Sequence, residues 1–95
     1  MADDNPIQTH MNHFLQTREP PKTFCPSEVA RALTPSELSS LGFDEWRAAM
    51  ESVRNLAEEK RSQGSLEVLQ KGAVIAAGVA IRDLKGPIRL RQTQA

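Results

Sequence analysis

The sequence predicts one α+β domain, with helices in the first two thirds of the chain and strands in the last third. A chain of 95 residues has apolar mass for only one core, so residues 1–95 are expected to form a single domain, ordered from about residue 6 to residue 91. The apolar fraction of 39% and the charged fraction of 25% are those of ordinary globular proteins. Apolar residues recur at helical spacing before Gly64 and alternate with polar residues in short runs after it.

The first helix and the first extended segment follow from apolar spacing and from prolines. A helix is expected from about Pro6 to Gln16, because apolar side chains share one face of it: Ile7, Met11, Phe14 and Leu15. Thr23 and Phe24 follow two prolines and are expected to form a strand of a single bridge. Pro26 suits the first position of a second helix.

A short third helix has recognisable signals at both ends. Thr34 and Glu37 have the spacing of a capping box, in which each side chain accepts a hydrogen bond from the other residue's backbone N–H. The helix is expected to end near Leu41, because Gly42 can adopt the left-handed conformation that terminates helices.

The fourth helix has the clearest periodicity in the chain. It is expected to begin at Asp44, with this side chain as its cap, and to run to about Ser62 before Gly64 terminates it. Trp46 falls on its apolar face and is predicted to be largely buried, together with Phe14, Phe24 and Phe43 as the other bulky core residues.

The last third of the chain predicts strands. The segment 66–70 alternates as a half-buried strand and ends at the turn formed by Lys71 and Gly72. A second alternating run, 88–91, follows the break at Gly86 and Pro87. The intervening segment 73–84 is compatible with a second strand arm, an irregular loop or a short helix.

This order of elements is that of a winged helix, in which a helix-turn-helix is followed by a β-hairpin called the wing. Four segments of the chain carry a resemblance to a known family: residues 23–33 (TFCPSEVARAL), 46–50 (WRAAM), 70–72 (QKG) and 86–90 (GPIRL). Over about residues 13–91 the chain resembles DUF3253, an uncharacterised winged-helix-like family. This resemblance implies a winged-helix-like fold and brings no established activity, substrate or catalytic residue.

Charge is unevenly distributed along the sequence. Residues 1–64 contain seven Lys or Arg and ten Asp or Glu, whereas residues 65–95 contain five and two, so their balances are minus three and plus three. A basic last third favours a surface that contacts phosphates. The first functional hypothesis is therefore that the domain binds double-stranded DNA.

Seven residues are candidates for contacting DNA. Arg47, Asn55 and Gln70 are the candidates for reaching base edges. Four cations are the candidates for neutralising phosphates: Lys71, Lys85, Arg89 and Arg91. Two alternatives stay open, because Arg and Glu alternate along the fourth helix as on a solvated surface, and because cations also protect the edges of sheets.

A second hypothesis is a protein-interaction module on the same fold, with a protein partner or a second copy bound at the apolar run 73–81. A third concerns Cys25, which is either a buried structural residue or a redox-responsive thiol at a helix start.

Other classes of function lack their motifs in this sequence. The chain has no phosphate-binding glycine loop and no nucleophile elbow, so it is not expected to be an enzyme or to act on a small-molecule substrate. No cofactor is implied, and His10 and His13 lack the further ligands of a metal site. The single cysteine and the absence of a long apolar run predict an intracellular protein, cytoplasmic or nuclear, without a membrane segment.

Overall fold

The chain folds as an α+β domain in a computed structural model that describes residues 5–18, 22–76 and 78–93. This part of the chain contains four α-helices and one three-stranded antiparallel sheet. The helices are α1 (Pro6–Thr17), α2 (Pro26–Ala32), α3 (Pro35–Ser40) and α4 (Met50–Ser62), and the strands are β1 (Leu66–Gln70), β2 (Ala73–Val74) and β3 (Arg89–Gln92). Two 3₁₀ turns complete the elements, at Trp46–Ala49 and Ile81–Asp83.

The sheet has the strand order β2-β1-β3. Leu69 of β1 lies opposite Arg89 of β3 and opposite Val74 of β2, which fixes the register on both sides. Phe24 forms an isolated bridge with Leu90, with N–H to O distances of 2.9 and 2.7 Å in the two directions. The single-bridge strand predicted at this position is therefore confirmed, and it extends the sheet beyond β3.

The core lies between the inner face of the sheet and the helices. Because side chains alternate along a strand, Val68 and Leu90 share the inner face of the paired strands, and both are fully buried. Phe24 joins them from the bridge and stacks on the half-buried ring of Phe14, with the ring centroids 5.4 Å apart. Helices contribute the other half of the core, including Met11, Val29, Val53 and Ala57.

The helix ends follow the sequence signals closely. Thr34 Oγ1 accepts from the Glu37 N–H at 3.1 Å, and Glu37 Oε1 accepts from the Thr34 N–H at 2.9 Å, so the predicted capping box is confirmed. At Gly42 the backbone turns to φ +84°, and the following N–H of Phe43 bonds the carbonyl of Leu38. Gly64 ends α4 in the same way, at φ +81°. These are the six-to-one hydrogen bonds of a Schellman motif.

The start of the long helix differs from the prediction. Asp44 does not cap it; the chain instead enters a 3₁₀ turn at Trp46–Ala49 before α4 begins at Met50, and no side chain caps that turn. Ala49 is the residue of this turn that is fully buried, which leaves the indole of Trp46 half-buried at the surface. The prediction that Trp46 is largely buried is therefore wrong.

The segment between β1 and β3, here called the hairpin segment, combines two of the structures left open by the sequence. It contains the short strand β2 and then the 3₁₀ turn Ile81–Asp83. Lys71 and Gly72 both have positive φ, at 53° and 83°, as a tight hairpin turn requires. Ile81 and Ile88 of the hairpin segment are buried in the core, but Val74 and Val79 are 52% and 41% exposed, so a few side chains anchor the hairpin segment and its β2 end stays at the surface.

A polar clamp joins the hairpin segment to α4. Glu58 Oε1 accepts from the Ile81 N–H at 2.8 Å, while Arg61 Nη2 donates to Glu58 Oε2 at 2.6 Å and to the Val79 carbonyl at 2.7 Å. The Arg61 side chain is only 5% exposed. The interpretation of the charges along α4 as a solvated surface is therefore wrong for Arg61, which lies beneath the hairpin segment.

Candidate nucleic-acid interface

Three cations come together where β1 ends and β3 begins: Lys71, Lys85 and Arg89. Lys71 follows the last residue of β1, and Gln70 Nε2 donates to the carbonyl of Lys85 at 2.6 Å. Arg89 opens β3 opposite Leu69. All three cations are exposed. They are named here the sheet-end cluster.

Arg89 is held by neutral groups. Its Nε donates to Thr23 Oγ1 at 2.9 Å, and its Nη1 lies 3.0 Å from the sulfur of Cys25. Within the described part of the chain, no carboxylate forms an ion pair with Arg89, Lys71 or Lys85. The guanidinium is thus oriented without a direct ion pair, and Glu28, which interacts with it electrostatically, is itself paired with Arg18.

Arg91 and Gln70 are in a different situation from the sheet-end cluster. Arg91 Nε donates to Glu67 Oε1 at 2.7 Å, on the cross-strand neighbour that β1 places directly opposite. The amide nitrogen of Gln70 bonds the carbonyl of Lys85, so this side chain braces the hairpin segment. Sequence reasoning selected both residues by type, and their partners could be known only from the strand register.

Arg47, another candidate for contacting DNA, lies on the 3₁₀ turn before α4. Its guanidinium is 4.6 Å from the centroid of the Trp46 ring and 3.4 Å from the Glu45 carboxylate. Arg31, from α2, is also 4.6 Å from this centroid. Sequence reasoning did not select Arg31, because its contact with the Trp46 ring is visible only in the folded structure.

Asn55 is exposed on α4 but faces a groove rather than an open helix surface. The helix–hairpin groove lies between α4 and the 80–82 part of the hairpin segment, and its volume is about 730 Å³. Glu51, Arg54 and Glu58 also line it, so side chains of both charges flank Asn55 on the same face of α4. The structure therefore does not bring Asn55 or Arg47 together with the sheet-end cluster.

Three carboxyl groups in the domain have lowered pKa values. The backbone N–H of Ile81 holds the pKa of Glu58 below its ordinary value of 4.5, and Arg61 lowers it further. The N–H of Thr34 and the side chain of His10 do the same for the pKa of Glu37. Burial raises the pKa of Glu28, but the Cys25 N–H and Arg18 outweigh it and lower the value. All three carboxylates serve structure, because their partners are caps and inter-element contacts.

The remaining candidates are placed as follows. Cys25 is half-buried at the start of α2, with its sulfur beside Arg89. His10 bonds Glu37 at 3.0 Å and so joins α1 to α3. Among the described residues, no group of three or more His, Cys, Asp or Glu side chains has the arrangement of a metal site. None of the helices in this part of the chain is long and apolar enough to cross a membrane.

Together, these elements define a small α+β domain with a basic cluster at one end of its sheet that forms no ion pair among the described residues. The chain belongs to DUF3253, a family of proteins of unknown function, whose family model matches residues 4–93. The resemblance seen in the sequence is thus confirmed for the family. No curated protein matches the chain.

Proposed function

We propose that this protein is a non-enzymatic, winged-helix-type domain that binds duplex DNA through the sheet-end cluster. The order of elements supports the fold, since α2 and the long helix are followed by an antiparallel hairpin. The strand order supports it as well: Phe24 pairs with β3, and β3 pairs with β1, which places the first extended segment beside the last strand. In this fold the hairpin segment is the wing.

The observation that carries the DNA proposal is the neutral support of Arg89. Arg89 is oriented by a hydroxyl and a thiol, and Glu28, the carboxylate that interacts with it electrostatically, forms its ion pair with Arg18; Arg91, two residues later, is instead paired directly with Glu67. Lys71 and Lys85 add two unpaired charges at the same end of the sheet. Three phosphate contacts position a protein on DNA without reading its sequence.

The proposal is tested by fluorescence anisotropy with a labelled duplex. With three phosphates neutralised, the log–log salt slope is expected to be about −2.7, which means a loss of about 40-fold in affinity between about 50 and 200 mM salt. A triple variant, Lys71→Gln with Lys85→Gln and Arg89→Gln, is expected to lose most of the binding. Wild type that does not bind at low salt would refute the proposal.

A matched control removes the same charge from the other candidate surface. Arg47→Gln with Arg54→Gln and Lys60→Gln also deletes three cations, all of them on the 3₁₀ turn or α4. This variant is expected to keep the log–log dependence of affinity on salt. Its affinity should fall only slightly, because the lower net charge weakens the long-range attraction to DNA. If it loses binding while the sheet-end variant keeps it, the long helix is the DNA-binding surface and the sheet-end proposal is wrong.

A second candidate function, self-association, is favoured by the exposed valines. Val74 lies on β2, whose outer edge pairs with no described strand, and Val79 is exposed nearby in the chain. An open apolar edge pairs readily with another strand, so a second copy bound edge to edge is the partner proposed. Sedimentation velocity over a range of concentrations is expected to show a dimer that Val74→Lys abolishes, whereas a monomer at all concentrations would exclude this function.

A further inference from the structure

The helix–hairpin groove has charges that the DNA proposal does not use. One wall is a single face of α4, formed by Glu51, Arg54, Asn55 and Glu58, and the other is the segment 80–82. The volume of about 730 Å³ is within the range of small-ligand sites. The groove is also held open by structure, because the Glu58–Arg61 clamp fixes the 80–82 wall against α4.

The clamp determines the charge that the groove presents. Both oxygens of Glu58 are already used, one by the Ile81 N–H and the other by Arg61. Arg54 and Arg82, in contrast, form no ion pair with a carboxylate in the described part of the chain. With Glu58 compensated by Arg61, the groove offers two guanidinium groups and the carboxylate of Glu51, a net charge of plus one.

The polar and apolar groups are also separated in the groove. Arg54 and Glu51 are one helical turn apart on α4, so a cationic and an anionic position lie side by side along one wall. Ala80 provides apolar surface on the facing wall, where Ile81 is itself buried in the core. A ligand that matches this arrangement has a carboxylate, a neighbouring hydrogen-bond donor of positive charge and an apolar body.

We propose that the helix–hairpin groove binds an apolar α-amino acid. The carboxylate lies between Arg54 and Arg82, the ammonium group faces Glu51, and the side chain packs on Ala80. This inference goes beyond the proposed function, since none of these residues belongs to the sheet-end cluster and the site needs no DNA.

The test is a titration of isotope-labelled protein with L-phenylalanine, followed by amide chemical shifts. Saturable shifts are expected at α4 and at residues 80–82. Phenylalaninamide lacks the carboxylate and N-acetylphenylalanine lacks the ammonium group, so both are expected to bind more weakly than the free amino acid. Shifts confined to other parts of the molecule, or equal binding of the amide, would overturn the proposal.

Variants locate the carboxylate. Arg54→Gln with Arg82→Gln removes two charge-assisted contacts, one from a half-buried and one from an exposed side chain, and the dissociation constant is expected to rise about tenfold or more. Lys22→Gln with Lys60→Gln makes the same change in net charge outside the groove and is expected to alter the constant less than about twofold. The backbone spectra of both variants show directly whether the fold is kept. Unchanged affinity in the arginine variant would refute the assignment.

Discussion

The helix–sheet core and the hairpin segment are held in place by different kinds of contact. The core depends on apolar side chains with almost no exposure, such as Phe24, Met11 and Leu90. The hairpin segment buries Ile81 and Ile88 but leaves two valines exposed, and it is also fixed by hydrogen bonds with Glu58, Arg61 and Gln70. Apolar packing is non-directional and shared among many atoms, whereas a polar clamp depends on a few oriented bonds. The two regions should therefore respond differently to substitution.

The largest effect is expected in the core, from Phe24→Ala. Phe24 is fully buried, stacks on Phe14 and joins the sheet through its backbone, so its truncation leaves a cavity at the centre of the domain. The free energy of unfolding should fall by about 3–5 kcal/mol, a large part of what a domain of this size has. Chemical denaturation measures it. Val74→Ala, at an exposed site of the hairpin segment, is the control and should change the free energy of unfolding by only about 0.5 kcal/mol. Similar losses in both variants would contradict the difference between the two regions.

An intermediate effect is expected from Arg61→Met, which opens the clamp. The substitution removes the hydrogen bonds to Glu58 and to the Val79 carbonyl, so the free energy of unfolding should fall by about 1–3 kcal/mol. Hydrogen exchange should be faster at the Ile81 amide while the amides of β1 and β3 keep their protection. Arg54→Met, on the same helix without an ion pair in the described structure, should leave both quantities nearly unchanged. Uniformly faster exchange throughout the sheet would show that the hairpin segment is not a separate unit.

The smallest effect is a pH dependence that originates in Glu58. Because its folded-state pKa is lower than the ordinary value of 4.5, its contribution to stability is present above that value and is lost as the pH falls through the folded-state pKa. Glu58→Gln should have a lower Tm than wild type at neutral pH, and the gap should narrow on acidification. Glu59→Gln, with its exposed neighbouring side chain, should follow wild type at every pH. A gap that stays constant down to low pH would contradict the assignment.

The sequence predicted the core better than the hairpin segment, because local signals place the core helices whereas contacts between distant residues fix the hairpin segment. Helical spacing and caps correctly placed α1, α3 and the ends at Gly42 and Gly64, because these signals are local. Trp46 was predicted to be largely buried but is half-buried, because the fully buried part of the helix face runs through Ala49, Val53 and Ala57. How deeply one residue of an apolar face is buried depends on the elements packed against it, which the local sequence does not show.

The candidate site was predicted only in its composition. Lys71, Lys85 and Arg89 were correctly placed in the basic last third, but which cations remain unpaired depends on the strand register. That register pairs Arg91 with Glu67 and directs Arg89 to Thr23 and Cys25. The buried clamp of Arg61 was also missed, because an Arg–Glu pair three residues apart has the same sequence pattern on a solvated helix.

The backbone of Lys71 has a consequence for how this domain could be altered. Its positive φ of 53° is a conformation that costs a lysine roughly 1 kcal/mol, and asparagine is favoured over lysine at this position of a two-residue hairpin turn. Lys71→Asn should therefore make the protein harder to unfold while it takes one cation from the sheet-end cluster. Stability and phosphate binding thus place opposite demands on one residue, so a sequence optimised for folding alone would lose part of the proposed DNA-binding surface.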